Sequence, residues 1–120
     1  MDEHENELRL YIVMRTDLEI PPGKMAVQAC HATLGVMRAC SSVLAEAYFD
    51  AGGQPKIVLA AKNEHAINRC AVECRNIGIE FYIVCDAGRT VFPEPKVTCI
   101  GIGPVSYAAL PKYIQKLQLL

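Results

Sequence analysis

Residues 85–90 of this 120-residue chain read Cys-Asp-Ala-Gly-Arg-Thr and follow directly on a run of strand-forming residues, Ile79 to Val84. In open α/β sheets, polar groups at the end of a hydrophobic strand sit where ligands bind. Asp86 can accept a proton or orient a water, Arg89 can grip a phosphate through two parallel hydrogen bonds, and Thr90 can donate one more. The same residues also suit a plain surface turn closed by Gly88. A second polar cluster weighs against that blander reading.

It lies between Gly23 and Gly35. Wound into a helix at about 100° per residue, Lys24, Gln28, His31 and Gly35 fall within an arc of about 60°. Almost everything else there is apolar or small: Met25, Ala26, Val27, Ala29, Cys30, Ala32, Leu34. Such a helix is expected to be largely buried. Its polar stripe must then face a wet cleft or other polar groups, because unpaired buried polar atoms are costly. Lys24 falls in the first turn, where the helix end is already positive. An anionic partner would compensate, and Asp86 or a substrate phosphate are the candidates.

The elements that must position these groups read as β-α-α-β-α-β-β-α. Leu8 to Met14 is a first strand ending at Arg15-Thr16, and Asp17 to Gly23 a loop whose Pro21-Pro22-Gly23 delays the helix. The striped helix runs to about Cys40, and a second helical segment spans Val43 to Phe49. Lys56 to Ala61 is the second strand. Asn63 is placed to cap the next helix and Gly78 to stop it. The strand from Ile79 to Val84, a last strand from Val97 to Ile102, and a C-terminal helix capped by Ser106 complete the order. This implies an α/β fold, one domain with a short mixed four-stranded sheet flanked by helices. The first three strands are expected to run parallel, the last in either direction.

Residues 1–7 hold four of the chain's 13 acidic residues and none of its 12 Lys and Arg, so they are expected to form a disordered acidic tail on a domain spanning residues 8–120. The body then carries 12 bases against 9 acids, a net +3, which permits an RNA partner without demanding one. No membrane span or signal peptide is recognisable, which points to the cytoplasm, and neither membrane nor DNA is an expected partner. Cys30, Cys70, Cys74, Cys85 and Cys99 sit among apolar residues and are expected to pack as small hydrophobes. Without a C-x-x-C pair, no metal site is expected. Gly23-Lys24 fails as a phosphate-binding loop, since Leu18 stands at the required upstream glycine and no Ser or Thr follows the lysine. Gly101-Ile102-Gly103-Pro104 lacks the third glycine of a dinucleotide fingerprint.

Arg15-Thr16-Asp17, Gly23-Lys24-x-Ala26-x-Gln28-x-x-His31-Ala32, Gly53-Gln54-Pro55-Lys56, Asp86-Ala87-Gly88-Arg89-Thr90 and Gly101-Ile102-Gly103-Pro104 occur in this order. Together they resemble the archaeal and eukaryotic type of peptidyl-tRNA hydrolase, from Leu8 to Leu120. The resemblance implies a small mixed-sheet α/β fold that cleaves the ester joining peptide to tRNA, with peptidyl-tRNA as partner. It places catalytic roles on Lys24, Gln28, His31, Asp86 and Thr90. In that scheme Asp86 orients or deprotonates water with Thr90 beside it, and Lys24 stabilises negative charge. Gln28 and His31 would position the carbonyl or the terminal adenosine, although a packed structural histidine is an equal reading of His31. Arg89 and Lys56, with Lys62 as a weaker candidate, would hold the tRNA backbone. No cofactor is called for, and a homodimer is left open.

The chain departs from the family pattern at Val27, at Val91 and at Pro111, which is expected to kink the last helix by removing the bond to the Tyr107 carbonyl. These departures keep a second reading in play: a weakly active or inactive paralogue serving as an RNA- or protein-binding module.

Overall fold

Strand β1 (Arg9–Arg15) buries every residue from Leu10 onward, so both faces of the sheet around it must be covered. The computed structural model, which describes residues 3–88 and 92–120, shows how. After β1 come α1 (Pro22–Ala39), α2 (Ser42–Asp50), β2 (Lys56–Ala61), α3 (Glu64–Ile77), β3 (Phe81–Asp86), β4 (Lys96–Val105) and a short α4 (Lys112–Gln115). Tyr11 and Val13 point to one face, where they meet Ile67, Cys70 and Cys74 of α3. Ile12 and Met14 point to the other, against Ala29 and Ala32 of α1, while Leu10 meets Val36 of α1 and Tyr48 of α2. The expected mixed α/β sheet is therefore a three-layer sandwich.

The sheet order is β2-β1-β4-β3. β1 and β2 are parallel, whereas β4 is antiparallel to both β1 and β3. The first three strands thus share one direction, and β4 returns between two of them. β3 has β4 as its sheet partner and forms one edge. The outer side of β2 is closed by the bridge between Leu59 and Leu119.

Local signals account for several boundaries. Asn63 accepts a hydrogen bond from the Ala66 N–H and opens α3, and Gly78 closes it at φ 76°. Other boundaries differ from the sequence reading. α1 begins at Pro22, because proline fits a first helical position whose N–H has no helical partner. β3 starts at Phe81, since the Ile79 N–H is committed to the Cys74 carbonyl of the helix end. β4 continues to Val105, through Gly103-Pro104.

The long C-terminal helix does not form. A 3-10 turn over Tyr107–Ala109 is followed by Pro111, which caps α4 instead of kinking a longer helix. Ser106 stands before that turn without a capping side-chain bond. Within the expected acidic tail, Glu3–Asn6 form one 3-10 turn.

Candidate active site

The C-terminal ends of β1, β2 and β3 share one end of the sheet, and the N-termini of α1 and α3 return to it. There Lys24 and Asp86 meet: Nζ donates to Oδ1 at 2.6 Å, with the two side chains 14% and 4% exposed. The other carboxylate oxygen, Oδ2, accepts the Gly88 N–H at 2.9 Å. Gly88 has φ +81°, and a Cβ there would come within 2.9 Å of the Glu94 backbone, so the turn that delivers this N–H needs glycine. A cation in the first turn of α1 is thereby offset by a buried carboxylate. The anionic partner anticipated for Lys24 is Asp86.

The polar stripe is only partly turned inward, with Gln28 buried, Lys24 and Gly35 half-buried and His31 exposed. Gln28 is buried to 1% exposure, and its side-chain amide donates to Thr98 Oγ1 at 2.9 Å. Ala32 and Val36 continue this inner face. Val27 at 48% and Leu34 at 71% exposure lie on the outer side, so the expectation of a helix buried almost all round is corrected. The reason is packing: Ala32 approaches β4 so closely that a Cβ on Gly101 would stand 2.5 Å from its carbonyl oxygen. The small residues of α1 serve close approach to the sheet, which leaves Val27 and Leu34 outside.

Thr98 owes its place to a β-bulge. Val84 pairs with Cys99 and Cys85 with Val97, so Thr98 is the extra residue of β4, immediately beside the end of β3. Its hydroxyl lies 3.4 Å from the Val84 carbonyl. Nothing in Val97-Thr98-Cys99 announces this role, because a bulge is a pairing event with no local signature.

Arg15, a strand end and the first residue of the Arg15-Thr16-Asp17 motif, has contacts that neither feature foretells. Its Nε and Nη2 donate to Asp17 Oδ1 at 3.0 Å and Oδ2 at 2.7 Å, and Nη1 donates to the Val97 carbonyl at 3.0 Å. The hydrogen-bonded guanidinium holds the Asp17 carboxyl below its ordinary range. Arg15 points to the α3 side of the sheet, with Glu64 Oε1 at 3.6 Å, and braces the strand ends from behind.

The remaining assigned residues disperse. His31 is exposed on α1, beside Tyr82 and Cys85. Lys62 is exposed at the end of β2, in a cleft of about 580 Å³ shared with Thr16, His65 and Lys116. Lys56 begins β2 and therefore sits at the opposite end of the sheet, its Nζ donating to the Gln54 carbonyl at 2.8 Å. Arg89, Thr90 and Val91 lie outside the described residues.

Of the cysteines, Cys70, Cys74 and Cys99 are buried as expected, whereas Cys30 and Cys85 are exposed because they sit on outward-facing positions. Among the described residues, no three of His, Cys, Asp and Glu converge as a metal site would require. Among the described residues, no helix is long and apolar enough to cross a membrane.

A carboxylate held between an ammonium and a backbone N–H can order or deprotonate a water. The ammonium's remaining protons can meet developing negative charge. This is equipment for hydrolysis on an α/β frame. The family model described as peptidyl-tRNA hydrolase PTH2 matches residues 8–120. A peptidyl-tRNA hydrolase of Haloquadratum walsbyi is 41% identical over 95 residues, covering 79% of this chain and 84% of that protein. One from Methanothermobacter thermautotrophicus is 30% identical over 113 residues, covering 94% of this chain and all (100%) of its own. The peptidyl-tRNA hydrolase 2 of Saccharomyces cerevisiae is 28% identical over 127 residues, covering 99% of this chain and 61% of the yeast protein. The chain belongs to the PTH2 family of peptidyl-tRNA hydrolases.

Proposed function

We infer that this protein hydrolyses the ester between peptide and tRNA, with the Lys24–Asp86 pair at the centre of the reaction. The observation that carries the reading is the 2.6 Å contact between these two side chains at the strand ends of a PTH2-family chain. Asp86 orients the attacking water and takes its proton. Lys24 lies against the carboxylate and offers its remaining protons to the tetrahedral oxyanion or to a neighbouring phosphate. The leaving group is the ribose oxygen, which must be protonated as the ester breaks; the proton taken by Asp86 is the nearest source.

Gln28 acts at one remove in this scheme. Its bond to Thr98 fixes the rotation of α1, one turn along from Lys24, and so aims the ammonium. Thr90 keeps the role of holding the water beside Asp86, on the strength of the family resemblance. Arg89 and Lys62 are proposed to meet tRNA phosphates, Lys62 from the cleft it shares with His65 and Lys116. Lys56, at the far end of the sheet, would reach only a distant part of the tRNA. Cytoplasmic location and turnover without metal belong to the same proposal.

Release of N-blocked amino acid from tRNA by purified protein, with a chelator present, tests it. Substrate left intact by stoichiometric protein would overturn the hydrolase reading and leave a binding module. Activity that disappears with chelator and returns with a divalent ion would overturn the metal-free mechanism alone.

A further inference from the structure

A groove of about 590 Å³ begins one residue before Asp86 and runs between α1 and the edge strand β3. His31, Leu34 and Arg38 of α1 line one wall, and Tyr82 and Cys85 of β3 the other. Tyr82, Val84 and Asp86 alternate onto the same face of the sheet. α1 runs against β3 so that Lys24 meets Asp86 at one end while Gly35 meets Tyr82 at the other. Four strand residues place the two contacts about 13 Å apart.

Tyr82 is an unusual presence there. It is 44% exposed, on an edge strand, yet its ring is seated. A Cβ at position 35 would overlap Cδ2 and Cγ of the ring and lie 2.6 Å from Cε2. The ring is therefore backed against the bare Gly35 backbone, and its other side is open. The groove combines this platform with the imidazole of His31 and the guanidinium of Arg38, and no acidic residue lines it. An aromatic ring backed by the protein, with an Arg alongside, is the arrangement on which unpaired bases stack while their phosphates are neutralised. A peptide would call for a series of apolar pockets, and only Leu34 and Val84 contribute to one.

We propose that this groove holds the unpaired 3′ end of the tRNA, with one of its last two bases stacked on Tyr82 and Arg38 against the adjoining phosphate. The proposal rests on the peptidyl-tRNA hydrolase reading and adds how the ester is delivered to Asp86: the end of the strand lies along β3, and the acyl group reaches the ion pair.

The test uses an uncharged RNA minihelix with 2-aminopurine at the last or the penultimate position, so that it does not depend on turnover. Binding to wild type and to Tyr82→Phe should quench the fluorophore at one of these positions. Tyr82→Ala should bind without quenching and at least about tenfold more weakly, the scale of one lost base–aromatic stack. Arg38→Gln, on the exposed side of α1, should weaken binding and reduce its salt dependence, and it serves if Tyr82→Ala does not fold. With N-blocked aminoacyl-tRNA, Tyr82→Ala and Arg38→Gln should raise KM with a smaller change in kcat. Absence of quenching at both positions in wild type would overturn the proposal, as would equal binding of the minihelix by Tyr82→Ala. A KM effect that appears only with longer peptidyl groups would assign the groove to the peptide instead.

Discussion

Lys24 and Asp86 are separated by 62 positions in the chain and by 2.6 Å in space. The contact exists because α1 packs antiparallel to β3 on one sheet face, so the start of the helix meets the end of the strand. Both groups are mostly enclosed, and neither charge is stable there without the other.

This coupling sets the first expectation. Asp86→Asn keeps the shape but removes the charge and basicity, while Lys24→Ala leaves the carboxylate without its cation. Each should lower turnover of N-blocked aminoacyl-tRNA by about 10²-fold or more. The double variant should be little worse than the poorer single one, because the two act as a unit. Near-normal turnover by folded Asp86→Asn would remove Asp86 from the mechanism.

Gln28 and Thr98 should show a different signature. Either single change, Gln28→Leu or Thr98→Val, strands a buried partner and should cost about 1–3 kcal/mol in denaturant unfolding. The double change removes both polar groups and should cost less than the two singles together. Strict additivity would show that the hydrogen bond does not hold α1 in place. If Gln28 aims Lys24, Gln28→Leu should also reduce kcat more than it raises KM.

Two glycines stand where α1 meets the sheet, Gly35 on the helix and Gly101 on β4, and they should not respond alike. A methyl at Gly101 would meet the Ala32 carbonyl at 2.5 Å, where backbone opposes backbone. Gly101→Ala should therefore push helix and sheet apart and cost at least about 1–3 kcal/mol, the usual range for overpacking. A methyl at Gly35 meets the Tyr82 ring, which can rotate outward. Gly35→Ala should be the milder change in thermal melts, and equal loss by both would contradict this account.

The thiols should divide by burial. Burial pushes Cys70 and Cys74 up to about 12 and Cys99 up to about 11, so almost none of their thiolate exists at pH 8. Cys30 and Cys85 are exposed, and Cys40 is half-buried. Mass spectrometry after brief alkylation of native protein should find label on Cys30 and Cys85 first. Cys70, Cys74 and Cys99 should react only after unfolding. Early label on any of these three would show that its helix or strand opens locally.

Sequence reading succeeded where the signal is local. Asn63 and Gly78 act through their own backbone and side chain, and β2 is bounded by turn residues on both sides. It failed where a partner element decides. Pro22 looked like a breaker, yet it occupies a helix position that tolerates proline. The facing of α1 depended on Gly101, 69 residues beyond Ala32. Thr98 became visible only through a pairing shift, and Pro111, expected to kink a long helix, proves instead to cap a short one. Lys56 was placed with the site by type and motif, although the start of a strand parallel to β3 lies at the other end of the sheet. Lys24 and Asp86 were legible because a misplaced cation and a strand-end carboxylate each advertise an unmet need.

The order β2-β1-β4-β3 also has a consequence in time. β4 is synthesised after every other strand, yet it lies between β1 and β3 and carries the bulge that seats Gln28. While the chain is still being made, β1 can find β2, but the strand bearing Asp86 has no neighbour in the sheet until residues 96–105 have emerged. Domains fold as units once their parts are available. The protein thus acquires its ion pair late, as a single event that waits for β4 to seat β3 in the sheet.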